Sequence, residues 1–255
     1  MPKTVNIMPK LKPFINMPLA DKDAITEVII ERNLRELGKD VVVAWSGGKD
    51  STLVLWKVIK RFPEVPVIFN NTGIEYPETI RFIRKITKLW NLNLIETKPI
   101  KSFFQCVEEY GWPKGKSDRK DHHSSKCCVY LKENPARNIY RQLKTKGVFT
   151  GITAVENRNR QFKAISHGTC YKLVKEKWKM IHPILYWTED DVWQYHKKNN
   201  IPMNEVYAEG CDRCGCSCCT AFLSWESQLS RMNPKLYQMV KLRKDGQYSM
   251  KEMIE

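Results

Sequence analysis

The chain has 255 residues, 42% of them hydrophobic and 11% aromatic, enough to bury a core, which excludes wholesale disorder. Its 43 Lys and Arg against 28 Asp and Glu leave a formal charge of +15, which points to an anionic partner rather than to any fold. No apolar run approaches the ~18 residues of a membrane span, and Met1–Leu11 lacks a signal peptide's apolar centre, so a soluble, cytoplasmic protein is expected.

Residues 1–20 are proline-punctuated without a clean period, and are expected to wander over the surface. Ile25, Val28, Ile29 and Leu34 have helical spacing across Asp23–Leu37, with Gly38 as the stop. Val41–Trp45 is a short β-branched run bounded by Ser46-Gly47-Gly48, a buried strand. Ser51–Arg61 then reads as a helix, Val65–Asn70 as a strand, Pro77–Trp90 as a helix and Leu92–Thr97 as a strand. This alternation predicts an α/β fold: a Rossmann-like parallel sheet with helices on both faces. From Phe103 to Lys126 the period breaks, and Gly111–Ser125 reads as a long polar loop. Asn134–Lys144 is expected to be helical, Val148–Ile152 a strand and Glu156–Gly168 irregular. Thr188–Asn199 carries its own start signal, with Thr188 as N-cap, Asp191 three residues on and Lys197-Lys198 at the end. The cysteine cluster falls in a loop, and Glu226–Lys241 closes with a helical pattern. The expected organisation is an N-terminal extension and helix over 1–38, a nucleotide-binding domain over 39–205, and a Cys-rich, metal-binding C-terminal region over 206–255.

Charge is concentrated. Gly111–Lys179 holds 17 Lys and Arg against 5 Asp and Glu, a basic segment suited to nucleotide phosphates or a nucleic-acid backbone, unless it is only a solvated face. Ser46-Gly47-Gly48-Lys49-Asp50-Ser51 lies between a strand and a helix, where amide N–H groups converge on an anion. Two glycines permit close approach, and Lys49 with two hydroxyls adds donors. It is not a Walker A loop, which needs four residues between its first Gly and Gly-Lys.

That string resembles the PP-loop of the adenine nucleotide alpha hydrolase-like superfamily. Asn71-Thr72-Gly73-Ile74-Glu75-Tyr76-Pro77-Glu78 resembles the second landmark of one branch, the sulfonucleotide (APS/PAPS) reductases, with Asn71 in place of the usual Asp. Gly151-Ile-Thr-Ala-Val-Glu-Asn-Arg158-Asn-Arg160 is similar to a third family loop, with Thr153 where the family carries an arginine. The resemblance implies phosphate contacts from Ser46, Gly47, Gly48, Lys49, Asp50, Ser51, Thr72, Gly73, Glu78, Gly151, Arg158 and Arg160. The implied nucleotide is ATP, APS or PAPS, with Mg accompanying ATP.

The chain has nine cysteines, five of them between Cys211 and Cys219, and in a reducing compartment such clustering reads as a metal site. Cys127-Cys128 before Lys132 and Pro135, then Gly215-Cys216-Ser217-Cys218-Cys219-Thr220, resembles the iron–sulfur signature of the same branch. The resemblance implies a [4Fe-4S] cluster on Cys127, Cys128, Cys216 and Cys219. A local zinc site on Cys211, Cys214, Cys216 and Cys219 is the alternative. No Cys follows Cys219, so the tail thiol that the family uses as nucleophile is not found, and no catalytic residue is assigned. Three activities stay open: a PAPS/APS reductase-like oxidoreductase; an ATP pyrophosphatase that adenylates tRNA, DNA or a small molecule for sulfur transfer; and a basic Fe–S nucleic-acid-binding protein without catalysis. A homodimer is left open.

Overall fold

The computed structural model describes residues 6–115, 125–173 and 175–246. In chain order it runs through a 3-10 turn (Pro9–Leu11), α1 (Lys12–Ile15), α2 (Leu19–Leu37), β1 (Val41–Ala44), α3 (Lys49–Ile59), β2 (Val67–Asn70), α4 (Pro77–Leu89), β3 (Leu94–Thr97) and α5 (Phe103–Tyr110). It continues with α6 (Lys126–Cys128), a π segment (Val129–Glu133), α7 (Asn134–Gln142), β4 (Gly147–Thr150), α8 (Arg158–His167), β5 (Cys170–Lys172), β6 (Lys179–Ile181), α9 (Glu189–Lys198), α10 (Trp225–Met232) and α11 (Pro234–Lys244). The sheet has six strands in the order β3-β2-β1-β4-β6-β5. β1 lies parallel to both β2 and β4, β4 parallel to β6, and β5 runs antiparallel at the edge. The expected α/β sheet is therefore mostly parallel, with one reversed edge strand that its three residues gave no period to announce. Val41, Val42 and Val43 are all buried, as a central strand covered on both faces requires. No helix among the described residues is long and apolar enough to cross a membrane.

The chain divides into two compact units. The first comprises Met1–Phe69, Phe82–Glu96 and Asn138–Asn204; the second comprises Asn70–Arg81, Thr97–Arg137 and Glu205–Glu255.

Four local readings need correction. The N-terminal segment does not wander: Leu11 and Ile15 are buried with Ala154, Ala164 and Leu185, and the Met8 amide donates to Gln161 Oε1 at 2.8 Å. Phe103–Tyr110 is a helix, opened by a reciprocal box in which Ser102 Oγ accepts from the Gln105 amide and Gln105 Oε1 from the Ser102 amide. Arg158–His167 is also a helix, capped by Asn157, but it buries only Gln161 and Ala164 and so carries no apolar stripe. The C-terminal pattern is two helices, because Asn233 is extended and Pro234 opens α11. Residues 116–124 of the polar loop lie outside the described residues.

Within the first unit, Lys57 on α3 is fully buried. Its ammonium donates to Asp23, to Glu27 at 2.7 Å and to the Tyr195 hydroxyl at 2.8 Å, which ties α2, α3 and α9 together. Burial opposes its charge, yet these three partners outweigh that and raise its pKa.

Candidate functional site

In the first unit, β1 runs into Ser46–Gly48 and α3 starts at Lys49, so the first-turn N–H groups have no intrahelical carbonyl. The sheet order steps outward from β1 to β2 on one side and to β4 on the other. The loop therefore leaves the sheet at the strand ends where open α/β folds bind ligands. The turn is internally braced. Ser46 Oγ lies 3.1 Å from Ser51 Oγ, the Ser46 amide donates to Ser51 Oγ at 3.2 Å, and Ser51 Oγ donates to the Gly48 carbonyl at 3.0 Å. Gly47 has φ +74°, a conformation that favours glycine. Gly151, at the end of β4, lies so close that a Cβ there would sit 2.4 Å from the Ser51 amide nitrogen.

Two residues missed from sequence hold this loop from behind. His196 Nε2 meets the Lys49 carbonyl at 2.8 Å, and Asn204 Nδ2 donates to the Gly47 carbonyl at 3.2 Å. Burial lowers the His196 pKa, against the opposing pull of the Lys49 and Ile201 carbonyls that its ring nitrogens face. No motif in the sequence marks either of them for this role. The Lys49 ammonium lies 2.9 Å from Asp50, 3.5 Å from Glu189 and 5.8 Å from the Trp193 ring centre. Burial works against its charge, but Asp50, Glu189 and Glu156 raise its pKa, so it stays cationic. Arg160 pairs with Glu156 on the exposed side of α8, and its amide caps onto Asn157. Thr153 is buried and offers no charge where the family carries one.

Thr72, Gly73 and Glu78 belong to the second unit. Asn71 Oδ1 accepts from the Gly73 amide at 3.0 Å, and Gly73 has φ +80°. An aspartate would accept the same bond, so the exchange removes a charge and keeps the turn. Thr72 donates from its amide and hydroxyl to Glu75 at 3.0 and 2.6 Å. Glu78 is turned to Arg81 at 2.8 Å.

The second unit also gathers the cysteines that the resemblance picked out. Cys127, Cys128, Cys216 and Cys219 line one pocket of about 50 Å³, together with Lys132, Arg213, Tyr76 and Phe103. A helix brings Cys127 and Cys128 there, and the π segment that follows them carries Lys132. The turn with Cys216 is pinned by a β-bridge between Glu75 and Cys216 and by the Ser217 amide donating to the Ile74 carbonyl at 2.8 Å. Cys128 is pushed down by its hydrogen bond from Cys127, with Lys132 and Arg213 assisting, while the Cys127 thiol moves up as donor. The Lys132 ammonium is driven up by the neighbouring Cys216 and Cys128.

Among the described residues no three His, Cys, Asp or Glu side chains stand grouped to hold a metal ion. The donor set of this pocket is nonetheless of the kind an iron–sulfur cluster takes: four thiols line one cavity, beside Phe103, Leu131 and Phe222 and two cations, Lys132 and Arg213, that would offset the charge of thiolates. Of the remaining thiols, Cys106, Cys211 and Cys218 are buried, while Cys170 and Cys214 are half-buried. Cys218 is buried and pushed up to about 11 by that burial, and Cys211 packs with Tyr76 and Val206 in a separate apolar group. Cys106 is buried on α5 beside Phe103.

The phosphoadenosine phosphosulfate reductase domain pattern matches residues 40–222. The chain belongs to this family. An uncharacterized protein of Methanocaldococcus jannaschii is 30% identical over 82% of the chain, but the match spans only 42% of that protein's length. An adenosine 5'-phosphosulfate reductase of Lysinibacillus sphaericus is 26% identical over 75% of the chain and 78% of its own length. Among solved structures, the phosphoadenylyl-sulfate reductase of Candida auris, in complex with phosphate, superposes at TM-score 0.58 with 17% identity, covering 84% of this chain and 97% of that one. The U34-tRNA thiolase NcsA of Methanococcus maripaludis, with its [4Fe-4S] cluster, superposes at 0.52 with 15% identity, covering 91% and 79%. Both structural likenesses establish the PP-loop fold of the reductase-family chain. The Ser46–Ser51 loop, the paired cysteines and the Gly-Cys-x-x-Cys-Thr turn all fall inside the matched range.

Proposed function

We propose that this reductase-family chain is an iron–sulfur PP-loop enzyme of sulfur metabolism that takes an adenine nucleotide by its phosphates. The observation that carries this reading is the convergence of Cys127, Cys128, Cys216 and Cys219 on one pocket with Lys132 and Arg213. Those four thiolates would hold the cluster, which supplies an electron-rich centre whose field is balanced by the two cations. Ser46–Ser51 would receive the phosphates, with Lys49 as the charged donor and His196 and Asn204 keeping the turn in shape. By the family resemblance, Gly151, Arg158 and Arg160 in the first unit, and Thr72, Gly73 and Glu78 in the second, are further candidate phosphate contacts. The reductase reading, with APS or PAPS as substrate, rests on the family and on the reductases of similar sequence.

A second reading is favoured by one observation. Thr153 is buried and uncharged, so the arginine contact expected for a sulfonucleotide is replaced by a side chain that cannot supply it. ATP-dependent adenylation of an acceptor for sulfur transfer needs no such contact, and the fold is shared with a tRNA thiolase that carries a [4Fe-4S] cluster. On this reading Mg accompanies ATP, and the basic middle of the chain meets a nucleic acid.

One experiment separates the two. Anaerobically reconstituted protein is incubated with ATP, APS and PAPS in turn, with a thiol donor, and sulfite and pyrophosphate are scored. Sulfite from APS or PAPS establishes the reductase; pyrophosphate from ATP establishes the adenylating enzyme. Stoichiometric zinc without sulfide would overturn the iron–sulfur assignment that both share.

A further inference from the structure

The first unit has a second basic concavity that the phosphate loop does not use. Tyr140, Arg141, Lys144, Thr145, Lys146, Lys172, Glu176, Lys177 and Trp178 enclose an open pocket of about 450 Å³. Lys146 immediately precedes β4, and Trp178 immediately precedes β6. Both strands run parallel to the direction of β1, so this pocket lies at the end of the sheet opposite to the phosphate loop.

Its floor and rim differ in kind. Thr145 is only 7% exposed, and its hydroxyl has no hydrogen-bond partner among the described residues. A buried hydroxyl without a partner is costly unless something else in the pocket supplies one. The rim is cationic. Arg141 is paired with Glu176 at 2.8 Å and Lys146 with Asp40 at 2.6 Å, whereas the exposed Lys144, Lys172 and Lys177 form no ion pair among the described residues. Lys144 and Lys177 both hold left-handed backbone, at φ 51° and 65°, an unfavourable conformation for lysine that fixes the two turns of the rim. The carbonyls that end α7 would repel an anion, but those of Ile139, Tyr140 and Arg141 already accept from the amides of Leu143, Thr145 and Lys144.

We propose that this pocket is a second anion site that takes one phosphate or sulfate group, either as the free ion or as the terminal group of a nucleotide. A tetrahedral oxyanion accepts from a hydroxyl below and from three separate ammoniums around it, which a flat two-oxygen carboxylate does less completely. The site is independent of the activity proposed above and of the phosphate loop.

The test is equilibrium dialysis with radiolabelled inorganic phosphate at constant ionic strength. The variants are Thr145→Val, the triple change Lys144→Glu, Lys172→Glu and Lys177→Glu, and Lys49→Ala at the phosphate loop. The triple variant should bind one phosphate fewer than the unaltered protein. Thr145→Val should weaken that same site about tenfold, as loss of a hydrogen bond to a charged group does. Lys49→Ala should leave this site intact. Its phosphate should be displaced by AMP or by sulfate but not by adenosine, and comparing AMP with sulfate tells the nucleotide end from the free ion. Unchanged phosphate stoichiometry in the triple variant, unchanged affinity in Thr145→Val, or equal displacement by adenosine would overturn the proposal.

Discussion

Gly151→Ala tests whether the end of β4 shapes the phosphate loop. The added methyl would meet the Ser51 nitrogen at 2.4 Å, the Asp50 carbonyl carbon at 2.5 Å and its oxygen at 2.7 Å. All three are backbone atoms of α3's first turn, so no side-chain rotation relieves the clash. Relief requires β4 and the helix start to separate by about 1 Å, and overpacking of this kind costs about 1–3 kcal/mol. For a chain of this size that lowers the melting temperature by about 2–12 °C. The comparison is Gly147→Ala at the other end of the same strand. There the nearest atom, at 2.5 Å, is Leu37 Cδ1, a methyl that can turn away. Both variants should fold, with Gly147→Ala losing stability only. Gly151→Ala should lose stability and also bind ATP or APS at least about tenfold more weakly, measured by titration calorimetry. Equal nucleotide affinity in Gly151→Ala and the unaltered protein would refute the claim that this strand end sets the loop.

Three further outcomes are expected. Lys49→Ala should weaken nucleotide binding by about 1.5–3 kcal/mol, read from dissociation constants, because it removes a charge-assisted donor. His182 is buried against Thr150 Oγ1 at 2.6 Å, and burial, with Arg160 and Lys163 adding to it, lowers its pKa to about 4. The unfolded chain therefore takes up this proton below its ordinary value while the folded chain refuses it, so stability is complete above pH ~6.5 and falls by roughly 3 kcal/mol as pH drops towards 4. Urea titrations across that window should show the slope, and His182→Gln should flatten it. Lys57→Met should destabilise by about 2–4 kcal/mol in urea, less than a fully buried pair would cost, since Asp23 and Glu27 keep about 30% of their surface in water.

The sequence was most legible where one residue type does one job. Val41–Ala44 reads as a central strand because three β-branched residues are buried on both faces. Thr188 and Asp191 announce α9 because capping is chemistry between near neighbours. The four cysteines reach one pocket although Cys216 lies 88 positions after Cys128, and there it was the likeness of motifs, not the spacing, that paired them. The misses have physical causes. α8 buries only Gln161 and Ala164 and leaves Phe162 and Ile165 exposed, so periodicity had no inward apolar stripe to report. The N-terminal turn is held by contacts with Ala154, Ala164 and Leu185, far along the chain, and proline masks its short helices. His196 and Asn204 act on backbone carbonyls, and nothing in a sequence says which carbonyl a side chain will find.

The bridge between Glu75 and Cys216 bears on how such chains can diverge. Thr72, Glu75, Cys216 and Ser217 are joined through hydrogen bonds and one β-bridge, with Thr72 Oγ1 3.6 Å from Cys216 Sγ. The Asn-Thr-Gly turn and the turn proposed to hold the cluster are thus one structural object, though more than 140 residues separate them along the chain. Drift at one strand of the bridge must be answered at the other, so insertions should accumulate on either side of these two segments and not within them. Lineages that abandon the cysteines should also reshape the Asn-Thr-Gly turn, and the two losses should be found together.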